Sequence, residues 1–452
     1  MNKKQIMEIC TKVLGLFMIE MSCWQKKRSR FLCIDINFSY LCKQMTELPR
    51  EFTDSTRRVM GDERFERYLK SFEEPTPVSI RMNPLKVQGW TAVGGEQVPW
   101  CPEGYYLPSR PNFTMDPLLH AGCYYVQEAS SMFVCHVLRQ LVDRPVAMLD
   151  MCAAPGGKST AAIATLPAGS TLCSNEPIRQ RANILRENIT KWGWPGCTVT
   201  NSYPRDIRKA RQHYDVILCD VPCSGEGMFR KDEATIREWS PKNVEKCCAL
   251  QREIVSDAWA CLNEGGILIY STCTFNTKEN EENVRWILEE FDAELLPVNT
   301  EPGWNITGSL LPGFDGPVYR FIPGISRGEG LFMCAIHKLS RCEVRGTRYE
   351  NTKGGRGASK HTSHLAPRTS PLEKDTSHLE LPYSQAIAYL RGEALVLPPD
   401  TPRGIIDVAF QGHVLGQAKN IGTRANNLYP KEWRIKTTHV PSSPPEIIKC
   451  LK

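Results

Sequence analysis

Apolar residues are spread unevenly along the chain, and their spacing changes character twice. From Val146 to about Leu339, short apolar runs alternate with stretches whose apolar positions recur three and four residues apart. "VAMLD" reads as a first strand, followed by a loop of small residues and a helix from Ser159. "STLCSNE" is a second strand, and "PIRQRANILRENITKWG" is the helix after it. "CTVTNS" and "YDVILCD" are the third and fourth strands. A long helix carrying Val255, Ala258, Trp259 and Leu262 precedes the fifth, "GGILIYST". "NTKENEENVRWILEEF" then opens with Asn276 three residues before Glu279, a capping-box arrangement that predicts a helix start. Strand and helix in regular alternation predict a doubly wound, Rossmann-like α/β sheet.

The flanks follow other rules. Residues 1–44 show no clean period and the pattern starts at "MTELPREF", so Met45 is expected to be the native start. The apolar run at residues 13–19 ends at Glu20, too short to cross a membrane, and no clear cleavage site follows it. Residues 45–125 predict a small α+β element. Phe65, Tyr68, Leu69 and Phe72 recur at helical spacing, "PVSIRMNPLKV" reads as strand and turn, and a second small element spans 90–108. "GCYYVQEASSMFVCHVL" is a turn feeding a helix from about Ser130, and it opens the domain assigned to residues 126–340. Residues 341–370 then hold seven Lys or Arg against two Glu, so 341–380 reads as a flexible basic linker. Such a linker either serves solubility or lies along a phosphate backbone. Order resumes over 381–452, where a helical "LPYSQAIAYLRGE" precedes "GIIDVAFQGHVLGQAKNIG", which alternates like strands around glycine turns.

Composition adds little to this and removes some options. Apolar residues at 41% and charged residues at 23% describe a globular chain, and a net charge of +6 is compatible with nucleic acid without requiring it. The 19 cysteines include no C-x-x-C pair, which excludes the usual zinc-finger and thioredoxin spacings and predicts no metal. An odd number scattered through apolar segments predicts reduced, mostly buried thiols in the cytoplasm. A monomer is the default expectation.

The loop "LDMCAAPGGKST" carries the tail of a phosphate-binding pattern, but its first glycine is replaced by Cys152. In a doubly wound sheet this loop lies where ligands bind, at the carboxyl ends of the strands. Ala153, Ala154, Gly156 and Gly157 would let a ligand approach backbone N–H groups closely. Glu176, nineteen residues after Gly157 at the end of the second strand, is placed to accept from both hydroxyls of a ribose. A nicotinamide cofactor would need G-x-G-x-x-G, which is missing. A P-loop nucleotidase would use Lys158 at the phosphates and Asp220 on magnesium, but has no need of the "DVPCSGEGMFRKD" that follows the fourth strand. S-adenosyl-L-methionine fits all three features.

Cys223 follows the fourth strand and Cys273 the fifth. On adjacent parallel strands both thiols would reach one rim of the sheet, which suits methylation of carbon 5 of a cytosine. A thiolate adding to carbon 6 makes carbon 5 nucleophilic, an acid near N3 takes up the developing charge, and a base removes the carbon-5 proton. Asp220 is the candidate acid, and the second cysteine can be the base. Lys158 or Arg230 would supply positive charge beside the attacking thiol.

"DMCAAPGGKS", "DVPCSGEGMFRKD" and "YSTCTFNTKENEENV", in that order, resemble the Sun-domain family of RNA (cytosine-5) methyltransferases over about residues 46–340. The resemblance implies that Cys273 is the nucleophile and that Cys223 assists product release. It also implies that Cys152, Ala153, Ala154, Pro155, Gly156, Gly157, Lys158, Glu176, Asp206 and Asp220 line the cofactor site, with Asn201 as the alternative to Asp206 and Arg181 nearby. "SIRMNPLK" resembles the family's N-terminal RNA-binding element, so Arg81 and Asn83 are expected to contact RNA, as are Arg230 and Lys231. "GHVLGQAKNIGTRANNLYPKEWR" looks like the PUA-like module of the bacterial ribosomal small-subunit methyltransferase F group. That implies 16S rRNA or the 30S subunit as partner. The alternatives are the same chemistry on tRNA, or a non-catalytic assembly factor.

Overall fold

A computed structural model describes residues 48–340 and 378–451, apart from 423 and 438. The extension at 1–44, the proposed start at Met45 and the linker as far as residue 377 lie outside the described residues.

Among the described residues two helices, Arg50–Met60 and Asp62–Lys70, come first. Phe52, Phe65 and Tyr68 on their inner faces pack with Phe229, Trp239 and Phe275 of the neighbouring domain. A four-stranded antiparallel sheet follows, in the order β3-β4-β1-β5, from β1 (Val78–Met82), β2 (Trp90–Ala92), β3 (Glu96–Val98), β4 (Cys101–Leu107) and β5 (Tyr124–Val126); β2 stands outside it.

The large sheet is built from β6 (Ala147–Asp150), β7 (Thr171–Asn175), β8 (Cys197–Thr200), β9 (Tyr214–Asp220), β10 (Leu262–Thr272), β11 (Ala293–Leu296), β12 (Tyr319–Phe321) and β13 (Leu331–Lys338). Its order is β11-β13-β10-β9-β6-β7-β8, with β12 on β13. β6 to β10 run parallel, while β11, β12 and β13 close one edge antiparallel. Along each central strand, alternate residues enter different cores. Met148, Val216, Leu218 and Ile269 face one layer, and Leu149, Ile217, Cys219, Leu268 and Tyr270 face the other. Burial on both faces is what makes these strands read as unbroken apolar runs. The chain is therefore an α/β protein of the doubly wound Rossmann-like type. Strand order reverses between β6 and β9, and the ligand crevice of such folds opens at that point.

The C-terminal sheet has the order β14-β16-β17-β18-β15, from β14 (His378–Glu380), β15 (Leu395–Val396), β16 (Gly404–Phe410), β17 (His413–Asn420) and β18 (Arg424–Asn427). His378–Glu380, counted with the linker from sequence, instead pair with Asp407, Val408 and Ala409. The final strand β19 (Ile448–Cys450) leaves this sheet and pairs with β2. Ile80, Leu118 and Tyr124 share one core with Ile387, Tyr389, Val408 and Ile448. The module is thus packed onto the N-terminal element through a common apolar interior. No helix among the described residues is long and apolar enough to cross a membrane. The described cysteines all carry free thiols, and Cys450 alone among them is exposed.

Candidate active site

The loop after β6 turns its carbonyls into the protein. Arg181 donates to the Ala154 carbonyl (2.9 Å), Asn188 to that of Pro155 (2.8 Å), and the Thr160 hydroxyl to that of Gly156 (2.8 Å). Gly156 takes a φ of 113°, which favours glycine, and a Cβ there would stand 3.2 Å from Leu185. The helix Gly157–Thr165 begins at the next residue.

Two buried acceptors sit at the ends of β6 and β7. Asp150 accepts from Ser159 through one oxygen (2.6 Å), and Glu176 accepts from the Ile178 N–H through one (3.0 Å). The second oxygen of each, Asp150 Oδ1 and Glu176 Oε2, is buried with no hydrogen-bond partner among the described residues. Arg181 Nη1 lies 3.4 Å from Glu176 Oε2 but outside bonding geometry. Burial pushes the Asp150 carboxyl up to about 7. Orphaned acceptors of this kind call for a ligand that brings donors. Burial, with nearby carboxylates, pushes the Cys152 thiol far up, so Cys152 lines the loop as a neutral thiol.

The reactive groups meet across β9 and β10. In register, Ser271 stands beside Asp220, so the two strand ends are level. Cys223 Sγ and Cys273 Sγ lie 3.2 Å apart. The hydrogen bond to Cys273, together with burial, holds the Cys223 thiol well above its usual value, so Cys223 keeps its proton. Asp220 accepts from the Ser271 hydroxyl (2.7 Å) and pairs with Lys158 Nζ (2.8 Å). Burial alone would lower the Lys158 ammonium, but the charges of Asp220, Cys273 and Asp150 together hold it above its ordinary value.

Behind the thiols the two loops are fastened to each other. Glu226 accepts from the N–H groups of Phe275 (2.7 Å) and Asn276 (2.9 Å) and from Trp239 Nε1 (3.0 Å). Glu279 accepts from the Ser224 N–H (3.0 Å), and Gly227 N–H donates to the Cys273 carbonyl (2.8 Å). A Cβ on Gly227 would fall 2.8 Å from that carbonyl, so only glycine fits. Asn276 Oδ1 accepts the Glu279 N–H (2.9 Å), as its spacing suggested, but the turn so closed is not the start of the helix. The Asn276 side chain joins this network, and the helix starts later, at Glu281–Glu290.

Residues 140–337 match the family described as 16S rRNA methyltransferase RsmB/F. Residues 48–129 match the N-terminal domain of 16S rRNA methyltransferase RsmF, and residues 376–435 match the RsmF PUA domain. Over these three segments the chain is similar to the RsmB/F methyltransferases. It is 33% identical over 319 residues to Ribosomal RNA small subunit methyltransferase F of Cronobacter sakazakii, covering 66% of this chain and 64% of that one. Against the same-named protein of Pectobacterium atrosepticum it is 35% identical over 263 residues, covering 54% and 53%. It therefore spans less than two thirds of the length of these curated relatives. Among solved structures, a methyltransferase homolog from Pyrococcus horikoshii is 27% identical, with a TM-score of 0.55, covering 65% of this chain and 96% of that one. NSun6 from Pyrococcus horikoshii shares the fold at 20% identity and a TM-score of 0.54, covering 65% and 98%.

Not every expected residue reaches the site. Asp206 sits in the helix Pro204–Lys209 with its carboxylate toward Lys209 (3.6 Å). Asn201 instead donates to the carbonyl of Glu176 (2.7 Å) and so stands at the second strand's end. Arg81 and Asn83 are fully buried and have no surface to offer RNA. Arg81 is spent on Gln127, Gly157 and Thr160, and Asn83 on the carbonyls of Gly122 and Trp192. Arg230 is likewise withdrawn, its side chain 5% exposed and paired with Glu329 at 2.9 Å. Lys231 alone of the four predicted RNA contacts is exposed. Asp150 escaped the sequence reading, although the signal that picked out Glu176, a carboxylate ending a strand beside the loop, applied to it equally.

Proposed function

We propose that the chain is an S-adenosyl-L-methionine-dependent RNA (cytosine-5) methyltransferase whose substrate is 16S rRNA of the small subunit. The observation that carries the reading is the pair of thiols 3.2 Å apart, together with the ion pair that Lys158 makes with Asp220 at the end of β9. The relatives named for ribosomal small-subunit methylation support the substrate.

The loop and the orphaned acceptors fit the cofactor. Glu176 Oε2 would take the ribose hydroxyls, Asp150 Oδ1 is available to an amine, and the loop from Cys152 to Lys158 would line the amino-acid end, with the N–H groups of Gly157 and Lys158 toward it. When bound, S-adenosyl-L-methionine supplies an electrophilic methyl group. Cys273, as thiolate, forms a bond to carbon 6 of the cytosine, and the carbon 5–carbon 6 π pair moves toward carbon 5. Lys158, held in place by Asp220, stabilises the negative charge that spreads to N3, the kind of preorganised electrostatics that carries much of catalysis. Once carbon 5 is methylated, Cys223 gives its proton to Cys273 as the sulfur–carbon 6 bond breaks. The thiolate left on Cys223 takes the carbon-5 proton, whose bonding pair restores the double bond. The thiol pair then loses one proton to solvent and is ready again. The target base must be unstacked to admit the thiolate, which costs a few kcal/mol and favours a locally open site.

The test uses labelled S-adenosyl-L-methionine with small subunits, naked rRNA and tRNA. Label recovered as 5-methylcytidine in small-subunit rRNA is the expected result. Label in tRNA alone would overturn the substrate, and no label in any RNA would overturn the activity.

A further inference from the structure

Arg81 is a fully buried cation with no carboxylate partner: among the described residues it makes no ion pair. Its guanidinium stacks 4.6 Å from the centre of the Trp192 ring and donates from Nε to Gln127 (2.8 Å). The rest of its donors go to the first turn of the helix that leaves the cofactor loop. Nη2 reaches the Thr160 hydroxyl (2.6 Å) and the Gly157 carbonyl (3.2 Å), and Nη1 reaches the Thr160 carbonyl (3.2 Å). The Thr160 hydroxyl in turn lies 2.8 Å from the Gly156 carbonyl and 3.1 Å from that of Gly157.

In a trans peptide the carbonyl of one residue and the N–H of the next point in opposite directions. Holding the carbonyls of Gly156 and Gly157 on the Arg81 side therefore aims the N–H groups of Gly157 and Lys158 away from it, out of the helix's N-terminal end. Those are the donors a ligand in the loop would meet. Lys158 also carries the ammonium paired to Asp220. A guanidinium fixed by four oxygens and a ring face has little freedom, which suits a part whose job is orientation.

We infer that Arg81 is a positioning residue that sets the cofactor loop from the N-terminal element, acting through Thr160. This rests on the reading that the loop receives S-adenosyl-L-methionine.

Asn83 supplies the control. It ties the same element to the far end of the helix Arg179–Trp192, donating to the Trp192 carbonyl (2.9 Å), and touches nothing in the loop. The full chain and its Arg81→Lys, Thr160→Val and Asn83→Ala variants would be compared for KM of S-adenosyl-L-methionine, kcat at saturation, RNA affinity and thermal melting. Arg81→Lys should raise KM by about tenfold and Thr160→Val by about threefold, with kcat and RNA affinity within about twofold, since misplacing a binding group by an ångström is costly. Asn83→Ala should lower the melting temperature and leave KM unchanged. Thr160→Val reads the same relay from its other end, so an Arg81→Lys protein that does not fold leaves the inference testable. An unchanged KM in Thr160→Val, or an equal rise in Asn83→Ala, would overturn it. Wild type that binds no S-adenosyl-L-methionine would sink the cofactor reading first, and the inference with it.

Discussion

Two cations flank the cofactor loop, and the protein treats them in opposite ways. Lys158 faces the strand-end rim, 14% exposed, and its charge is answered by Asp220 at 2.8 Å. Arg81 lies behind the loop, fully buried, and is answered by neutral oxygens and the face of Trp192. A paired ammonium on a flexible stem can shift its hydrogen bond as charge develops nearby. A guanidinium locked by a planar set of acceptors cannot move without breaking several bonds at once. The difference separates a group that answers to the reaction from one that holds its neighbours still.

The largest effects should fall on the thiols that Lys158 attends. Cys273→Ala removes the nucleophile, and methyl transfer should fall by about 10⁴-fold or more. Cys223→Ala keeps the attacking sulfur but removes its proton donor, so the protein should accumulate as a covalent RNA adduct that survives a denaturing gel. If Cys223→Ala turns over freely and Cys273→Ala forms the adduct, the roles are exchanged.

Next in size is the cation itself. Lys158→Met should lower kcat by about 10² to 10³-fold, the cost of losing one electrostatic stabiliser, and change KM for S-adenosyl-L-methionine little. Arg81→Lys should give the reverse split, a higher KM with kcat preserved. Steady-state kinetics on both variants would break the contrast if they moved the same parameter.

The two regions also differed in how far they could be read beforehand. The positions of Cys223, Cys273, Asp220 and Lys158 follow from topology. Asp220 ends a parallel strand, Cys223 and Cys273 closely follow strand ends, and Lys158 opens the helix after the loop of another; strand ends of one sheet meet at one rim, and adjacency of β9 and β10 does the rest. Arg81 sits in an equally recognisable segment, "SIRMNPLK", yet its environment is set by which domain packs over β1. Gly157, Thr160 and Trp192 are more than seventy residues away in sequence, and no local pattern announces them. The same long-range packing put Arg230 against Glu329. It also joined the C-terminal module to the N-terminal element through the β19–β2 pairing, where composition suggested a loosely tethered unit.

The smallest effect concerns Asp150, the acceptor that the loop leaves open. Burial raises its carboxyl from the ordinary 3.8 to about 7 in the folded chain. Its folded value lies above its unfolded value, so the folded state binds the proton more tightly. The stability this confers is complete below about pH 4 and is lost as pH rises through about 7. Asp150→Asn cannot ionise and escapes that loss. The melting temperature of the ligand-free variant, minus that of wild type, should therefore climb between pH 5 and about pH 7 and level off above it. A difference that stays flat across this range would mean that the Asp150 site is already solvated or paired in the free protein. The orphaned oxygen would then give no support to a ligand donor at the end of β6.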